Sequence, residues 1–169
     1  MKPREASLQQ EPAPDLTARL TDGHHQALKL WLRMLACTMR VESSIRSRLR
    51  SGFGITLPRF DLMAQLERQP EGLRMGELSR RMMVTSGNVT GIVAELEREK
   101  LVARVHDAHD GRAFVVRLTP AGRRAFAGMA AVHEGWVTEL FRDIPARDKA
   151  QMIALLDKMK RQLNDDKED

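Results

Sequence analysis

The hydrophobic period of this chain changes between Met75 and Pro120 in an order that few folds can accommodate. Apolar residues at Met75, Leu78 and Met82 mark a short helix, running from about Arg74 to Met82. Val89, Ile92, Val93 and Leu96 mark a second, for which Thr85 is a good N-cap. Only Met83-Val84-Thr85 separates the two, and helices joined that tightly form the helix-turn-helix pattern. The helical period then gives way to β-prone runs, Leu101-Val102-Ala103-Arg104-Val105 and Ala113-Phe114-Val115-Val116-Arg117-Leu118. The polar connector His106–Arg112, with its Asp residues and Gly111, suits a hairpin turn. Helix, tight turn, helix, hairpin is the order of a winged helix-turn-helix, here between Leu78 and Thr119.

Helices flank this segment on both sides. Leu28, Trp31, Leu35, Met39, Ile45 and Leu49 predict one long helix that ends near Gly52 and Gly54. Pro58 suits the first turn of the next, with Phe60, Met63 and Leu66 on one face and Pro70 and Gly72 as stops. Thr119-Pro120 opens another, apolar at Phe126, Met129, Val132, Trp136, Val137 and Leu140 and broken by Pro145. A last helix carries Met152, Ile153, Leu155, Leu156, Met159 and Leu163. The expected fold class is mainly α with a small β-hairpin wing. The first and last helices carry more apolar surface than a small winged lobe can cover, which predicts a homodimer. The chain divides into a flexible leader (1–21), a helical dimerisation region (22–57 and 120–164), a DNA-binding lobe (58–119) and an acidic tail (165–169).

Charge and composition narrow the function. The net charge is +5, and residues 40–124 hold 16 Lys and Arg against 10 Asp and Glu, so the basic excess lies in and around the winged segment. A polyanion partner is the natural reading. The single cysteine, Cys37, rules out an intramolecular disulfide and a multi-Cys zinc site; between apolar Leu35 and Met39 it is expected to be a buried structural thiol. A redox-sensing role for Cys37 is the alternative, and it requires exposure and a lowered pKa. His24 and His25 are adjacent rather than at metal-binding spacing, so neither a metal nor a cofactor is expected. No apolar run approaches the ~20 residues that span a bilayer, and the first 21 residues lack the apolar stretch of a secretory signal, which predicts a cytoplasmic protein. No G-x-S-x-G, P-loop or H-E-x-x-H motif is present, and Gly52-Phe53-Gly54 lacks a third glycine, so an enzyme is not expected.

Asp110-Gly111-Arg112, then five residues, then Leu118-Thr119-Pro120-Ala121-Gly122 has the form D-x-R followed by L-T-x-x-G. With Leu78, Val84-Thr85-Ser86-Gly87-Asn88-Val89-Thr90 and Leu96-Glu97 upstream, the chain resembles the MarR family of bacterial transcriptional regulators over about Gly23 to Leu163. The resemblance implies a dimer on a palindromic double-stranded DNA operator, and most commonly repression relieved by a small effector. That effector is expected to be an aromatic acid or its CoA thioester, since residues 53–63 look like the branch controlling hydroxycinnamate and other aromatic-acid catabolism. Two positions depart from the family: Lys100 replaces the glycine that commonly ends the recognition helix, and Gly91 stands where relatives carry a long side chain facing DNA.

Ser86, Asn88 and Thr90 lie on the first turns of the second short helix, where such helices read base edges; Asn suits a bidentate contact to adenine. Thr85 reads better as the cap. Arg112 has the reach to enter a minor groove, with Asp110 holding the turn or bracing it. Arg80, Arg81, Arg98, Lys100 and Arg104 are candidate phosphate neutralisers. For the effector, the resemblance points to a cleft lined by Trp31, Met34, Arg40, Phe60, Met63 and His133. Plain core packing is the alternative for Trp31, Phe60 and Met63, and an ordinary salt bridge to Glu42 for Arg40. A winged-helix module that binds only protein is the remaining alternative; Ser86, Asn88 and Arg112 speak against it.

Overall fold

The computed structural model describes residues 26–107, 110 and 112–165. The leader, the last four residues of the acidic tail, and Ala108, His109 and Gly111 of the connector lie outside the described residues. The elements are α1 Gln26–Phe53, α2 Leu57–Glu67, α3 Met75–Met82, α4 Ser86–Arg98, β1 Val102–His106, β2 Phe114–Leu118, α5 Pro120–Leu140 and α6 Ala146–Asp165. This is the mainly helical architecture with one hairpin that the sequence predicts.

The chain forms two units, one ending at Ser44 and the other beginning at Ile45. In the first, the described part is the N-terminal stretch of α1, and none of residues 26–44 is buried. Leu30, Trp31 and Met39 are each more than half exposed. Cys37 is exposed as well, which corrects the expectation of a buried thiol: a cysteine among aliphatics is covered only if something packs on that face.

The second unit has a conventional core. Ile45 and Leu49 are one helical turn apart at the end of α1, and both are buried. Phe60, Leu62, Met63 and Leu66 supply α2, Leu78 supplies α3, and Val89, Val93 and Leu96 supply α4. Burying such a side chain completely contributes about 1.5–3 kcal/mol. Pro58, in the first turn of α2, presets φ and lacks an N–H that the helix could not have bonded.

The hairpin is antiparallel, with Val102 opposite Leu118 and His106 opposite Phe114. Its inner face, Val102, Val116 and Leu118, closes the core. Leu73 adds a bridge to the outer edge of β2, exchanging both backbone hydrogen bonds with Val116 at 3.0 and 2.9 Å. Gly72 makes that approach possible. Its φ is +93°, and a Cβ there would lie 2.7 Å from Arg117 Cγ and 2.8 Å from the Val116 carbonyl oxygen.

Both helix ends that frame the winged segment close on left-handed residues other than glycine. After α3, Met83 has φ 54°; its N–H reaches the Arg80 carbonyl at 3.3 Å, and the Val84 N–H reaches that of Ser79 at 3.2 Å. After α4, Lys100 has φ 60°; its N–H reaches the Glu97 carbonyl and the Leu101 N–H that of Leu96, each at 2.9 Å. These are paired Schellman bonds. The missing glycine at Lys100 therefore leaves the geometry of the cap unchanged, with the lysine held in the left-handed region.

Candidate nucleic-acid interface

One side of α4 is fixed by the core, and that decides what the other side presents. Val89, Val93 and Leu96 are buried, so Ser86, Gly87, Asn88, Thr90, Gly91, Ala94 and Arg98 are exposed. The Thr85 hydroxyl accepts the Asn88 N–H at 3.4 Å, the capping role its position predicts. Ser86 lies 3.5 Å from the hydroxyl of Ser79, a contact that spans the turn between α3 and α4. The Thr90 hydroxyl donates to the Ser86 carbonyl at 2.9 Å, so its proton is already engaged and its lone pairs remain for a donor. Among the described residues the Asn88 carboxamide makes no hydrogen bond. It offers both donors and an acceptor from one planar group, as the Ser86 hydroxyl does from a single oxygen. Gly91 has nothing within 4 Å of where a Cβ would stand, so the helix shows bare backbone there.

The cations expected to meet phosphate fall into two groups. Arg80, Arg98 and Lys100 are exposed and unpaired among the described residues. Arg81 is held by Glu77 one turn back, with Nη2–Oε1 at 2.6 Å, and Arg104 by Glu97 at 3.3 Å. Exposed pairs of this kind contribute little, so either guanidinium can exchange its carboxylate for phosphate.

The hairpin turn is built around Asp110. Its Oδ1 accepts the Arg112 N–H at 3.2 Å, and its carbonyl accepts the Ala113 N–H at 2.9 Å, which ties down the backbone at Arg112 and Ala113. The Arg112 side chain is exposed. Sequence reasoning offered two roles for Asp110, and holding the turn is the one formed. It missed the partner of Asp110 altogether. Arg74, the residue before α3, places Nη2 2.7 Å from Asp107 Oδ2 and 3.3 Å from Asp110 Oδ2, with Nε 3.0 Å from Asp107. The hydrogen bond and charge of Asp107 raise the Arg74 pKa above its ordinary value. A positive residue just before a helix, where an acid is favoured, was the available signal.

The L-T-x-x-G sequence has a local cause as well. The Thr119 hydroxyl caps α5 by accepting the Gly122 N–H at 2.9 Å and donates to the Lys100 carbonyl at 2.7 Å. A Cβ at Gly122 would stand 1.8 Å from the Leu101 carbonyl oxygen. Thr119 and Gly122 thus lock the start of α5 onto the chain leaving α4.

Of the expected effector residues, Met63 is fully buried and Phe60 nearly so, its ring 4.9 Å from that of His133 and 5.3 Å from that of Phe126. His133 is half-buried, and that burial lowers its pKa. Trp31 and Arg40 are exposed and Met34 half-buried, all in the first unit.

A sequence model described as the MarR family matches residues 53–113. The crystal structure of a MarR family transcriptional regulator from Silicibacter pomeroyi is 31% identical and covers 85% of this chain and 99% of that one, with a TM-score of 0.73. The chain belongs to the MarR family. The transcriptional activatory protein BadR of Rhodopseudomonas palustris is 28% identical over 142 residues, 80% of this chain and 81% of BadR. Bordetella bronchiseptica BpsR, whose DNA binding is regulated by 6-hydroxynicotinic acid, shares the fold at 21% identity and a TM-score of 0.67, over 83% of this chain and 97% of that one. In this fold the hairpin is the wing and α4 the second helix of a helix-turn-helix. No helix among the described residues is long and apolar enough to cross a membrane.

Proposed function

We propose that this MarR-family regulator is a homodimer that binds a palindromic DNA operator, with α4 in the major groove and Arg112 of the wing in the adjacent minor groove. The observation that carries this reading is the pairing of an exposed polar helix face, Ser86-Asn88-Thr90, with an exposed arginine, Arg112, on a braced turn. A module that binds only protein has no need of either. The exposed apolar side chains of α6, Ile153, Leu155 and Leu156, are the surface assigned to the second copy. A twofold dimer sets its two α4 helices about one DNA turn apart, roughly 34–36 Å.

The effector we assign is a small aromatic acid or its CoA thioester, which releases the protein from DNA. BpsR, with its hydroxynicotinic acid, supports the acid class. Release produces induction where the operator overlaps the promoter, the repressor arrangement. BadR, named as a transcriptional activatory protein, has the opposite sign.

Mobility-shift titration on the DNA upstream of the coding sequence tests the proposal. Arg112→Ala should weaken binding at least tenfold while the dimer stays intact on a sizing column; unchanged affinity at moderate salt would remove the wing from the interface. Asn88→Ala should alter the ranking of operator variants, since base contacts discriminate by about 1–3 kcal/mol each. A uniform loss over all sequences would instead assign Asn88 to phosphate or to folding.

A further inference from the structure

Most of the large apolar side chains that this chain leaves exposed lie on α1, α5 and α6, outside the winged lobe. Between Pro58 and Thr119 the described residues include two, Met83 at 90% exposure and Phe114 at 52%. The surface of α6 assigned to a second copy contains neither. A single exposed apolar residue is ordinary on any protein surface, so the argument turns on where these two stand.

Met83 forms the turn between α3 and α4, three residues before Ser86. Its φ of 54° is a conformation that L-residues seldom adopt, and the hydrogen bonds that close the turn are all made by backbone. Glycine would serve the fold at least as well. The long thioether thus adds apolar surface to the turn and nothing to the core. When a helix-turn-helix docks, its first helix crosses the DNA backbone and its second enters the major groove. The turn that joins them then lies at the edge of that groove, where the backbone passes.

Phe114 belongs to the last pair of the β ladder, opposite His106. It continues the inward row of Val116 and Leu118, but it stands beyond the edge of the core. Its ring stacks on that of His106 instead, with centroids 4.4 Å apart. The hairpin therefore extends an apolar ring, steadied by its neighbour, into solvent two residues from Arg112. With Arg112 in a minor groove, that ring meets the rim of the same groove.

We propose that Met83 and Phe114 are apolar DNA contacts, packed on deoxyribose rings beside the major and the minor groove respectively. The inference rests on the DNA-binding reading above and extends it to two side chains that carry no charge and read no base. Sugar contacts position a protein on the duplex without specifying sequence. Covering apolar surface also releases no counterions, so this part of the affinity is insensitive to salt, unlike the part supplied by cations.

Fluorescence anisotropy of a labelled duplex from the upstream DNA, titrated with full-length protein over a series of salt concentrations, tests the proposal. Met83→Gly, Met83→Asn and Phe114→Thr should each weaken binding by about fivefold or more, as expected when a partly buried apolar contact is lost. The slope of log affinity against log salt should stay that of the wild type. Met83→Leu should bind within about twofold of the wild type, since it restores the apolar surface. Asparagine tolerates the left-handed backbone, so a loss in Met83→Asn is not a loss of turn geometry. Circular dichroism and sizing show whether Phe114→Thr folds and dimerises; if it does not, the three Met83 variants still decide for Met83, and Phe114→Leu, which keeps an apolar side chain but loses the ring, replaces it for the wing. Unchanged affinity in the Met83 and Phe114 variants overturns the proposal. So does a loss that comes with a shallower salt slope, or a Met83→Leu as weak as Met83→Asn. A wild type that binds no duplex at any salt concentration would overturn the DNA-binding reading itself.

Discussion

At the scale of single residues, the informative positions are those where the backbone conformation is fixed by neighbours and the side chain is incidental to folding. Met83 and Lys100 occupy the left-handed region in two helix-ending turns, and Met83 is 90% exposed, so almost no packing depends on it. An L-residue there costs about 1–2 kcal/mol, partly offset by the greater freedom of glycine in the unfolded chain. Met83→Gly should therefore raise stability by about 0.5–1 kcal/mol, read from the urea midpoint at constant m. An unchanged or lowered midpoint would show that the turn is strained elsewhere. Gly122 is the opposite case. With 1.8 Å between a would-be Cβ and the Leu101 oxygen, Gly122→Ala should cost about 3 kcal/mol or more and separate α5 from the end of α4. Thermal unfolding would show a fall in Tm of many degrees.

Among elements, the wing and α3 are joined by more than sequence adjacency suggests. Leu73 exchanges backbone hydrogen bonds with β2, and Arg74, one residue on, holds Asp107 and Asp110 of the wing connector. Leu73 is buried and Asp107 mostly covered, but Arg74 and Asp110 are exposed, and ion pairs made by so exposed a guanidinium contribute little to folding. In the proposed interface their effect is on orientation, since Arg112 would enter a minor groove only if the turn around Asp110 points toward it. Arg74→Gln should leave Tm almost unchanged and weaken operator binding several-fold, with most of that loss absent when Asp107→Asn is already in place. Additive losses from the two substitutions would mean that Arg74 contacts DNA by itself. Raising the salt concentration should narrow the difference between wild type and variant, since the brace is screened.

At the scale of the whole molecule, α6 has no buried residue in the single chain, although it carries Met152, Ile153, Leu155, Leu156 and Leu163. Ile153→Glu with Leu156→Glu should convert the dimer to monomer by sedimentation and abolish tight operator binding; a dimer that persists would move the interface off this helix. Stability should also depend on pH through His133. Burial disfavours the imidazolium in the folded protein, so the folded pKa lies below the ordinary 6.5. Above that value both states are neutral, and His133 contributes no pH dependence. As the pH falls below it, the unfolded chain takes up the proton first, and stability declines until the folded pKa is passed. His133→Gln should flatten this part of the curve of urea midpoint against pH, and an unchanged slope would assign it to other groups.

Much of this protein is legible in its sequence because the period of its apolar residues reports local geometry directly. The order of helices, the three-residue turn, the hairpin, Thr85 as a cap and the outward face of α4 all follow from spacing and capping chemistry, which act over a few residues. Contacts between residues far apart in the chain are not encoded in any period. The tie from Arg59 to Glu95 and Glu99, the brace from Arg74 to Asp107 and Asp110, and the closeness of Gly122 to Leu101 exist only once the core has brought α2, α3 and α5 against α4 and the wing. Cys37 shows the converse, because its aliphatic neighbours predict burial, while burial depends on what covers the helix. The sequence by itself determined which side chains of α4 and the wing face outward. The tertiary structure alone decided which of them are held and which are free.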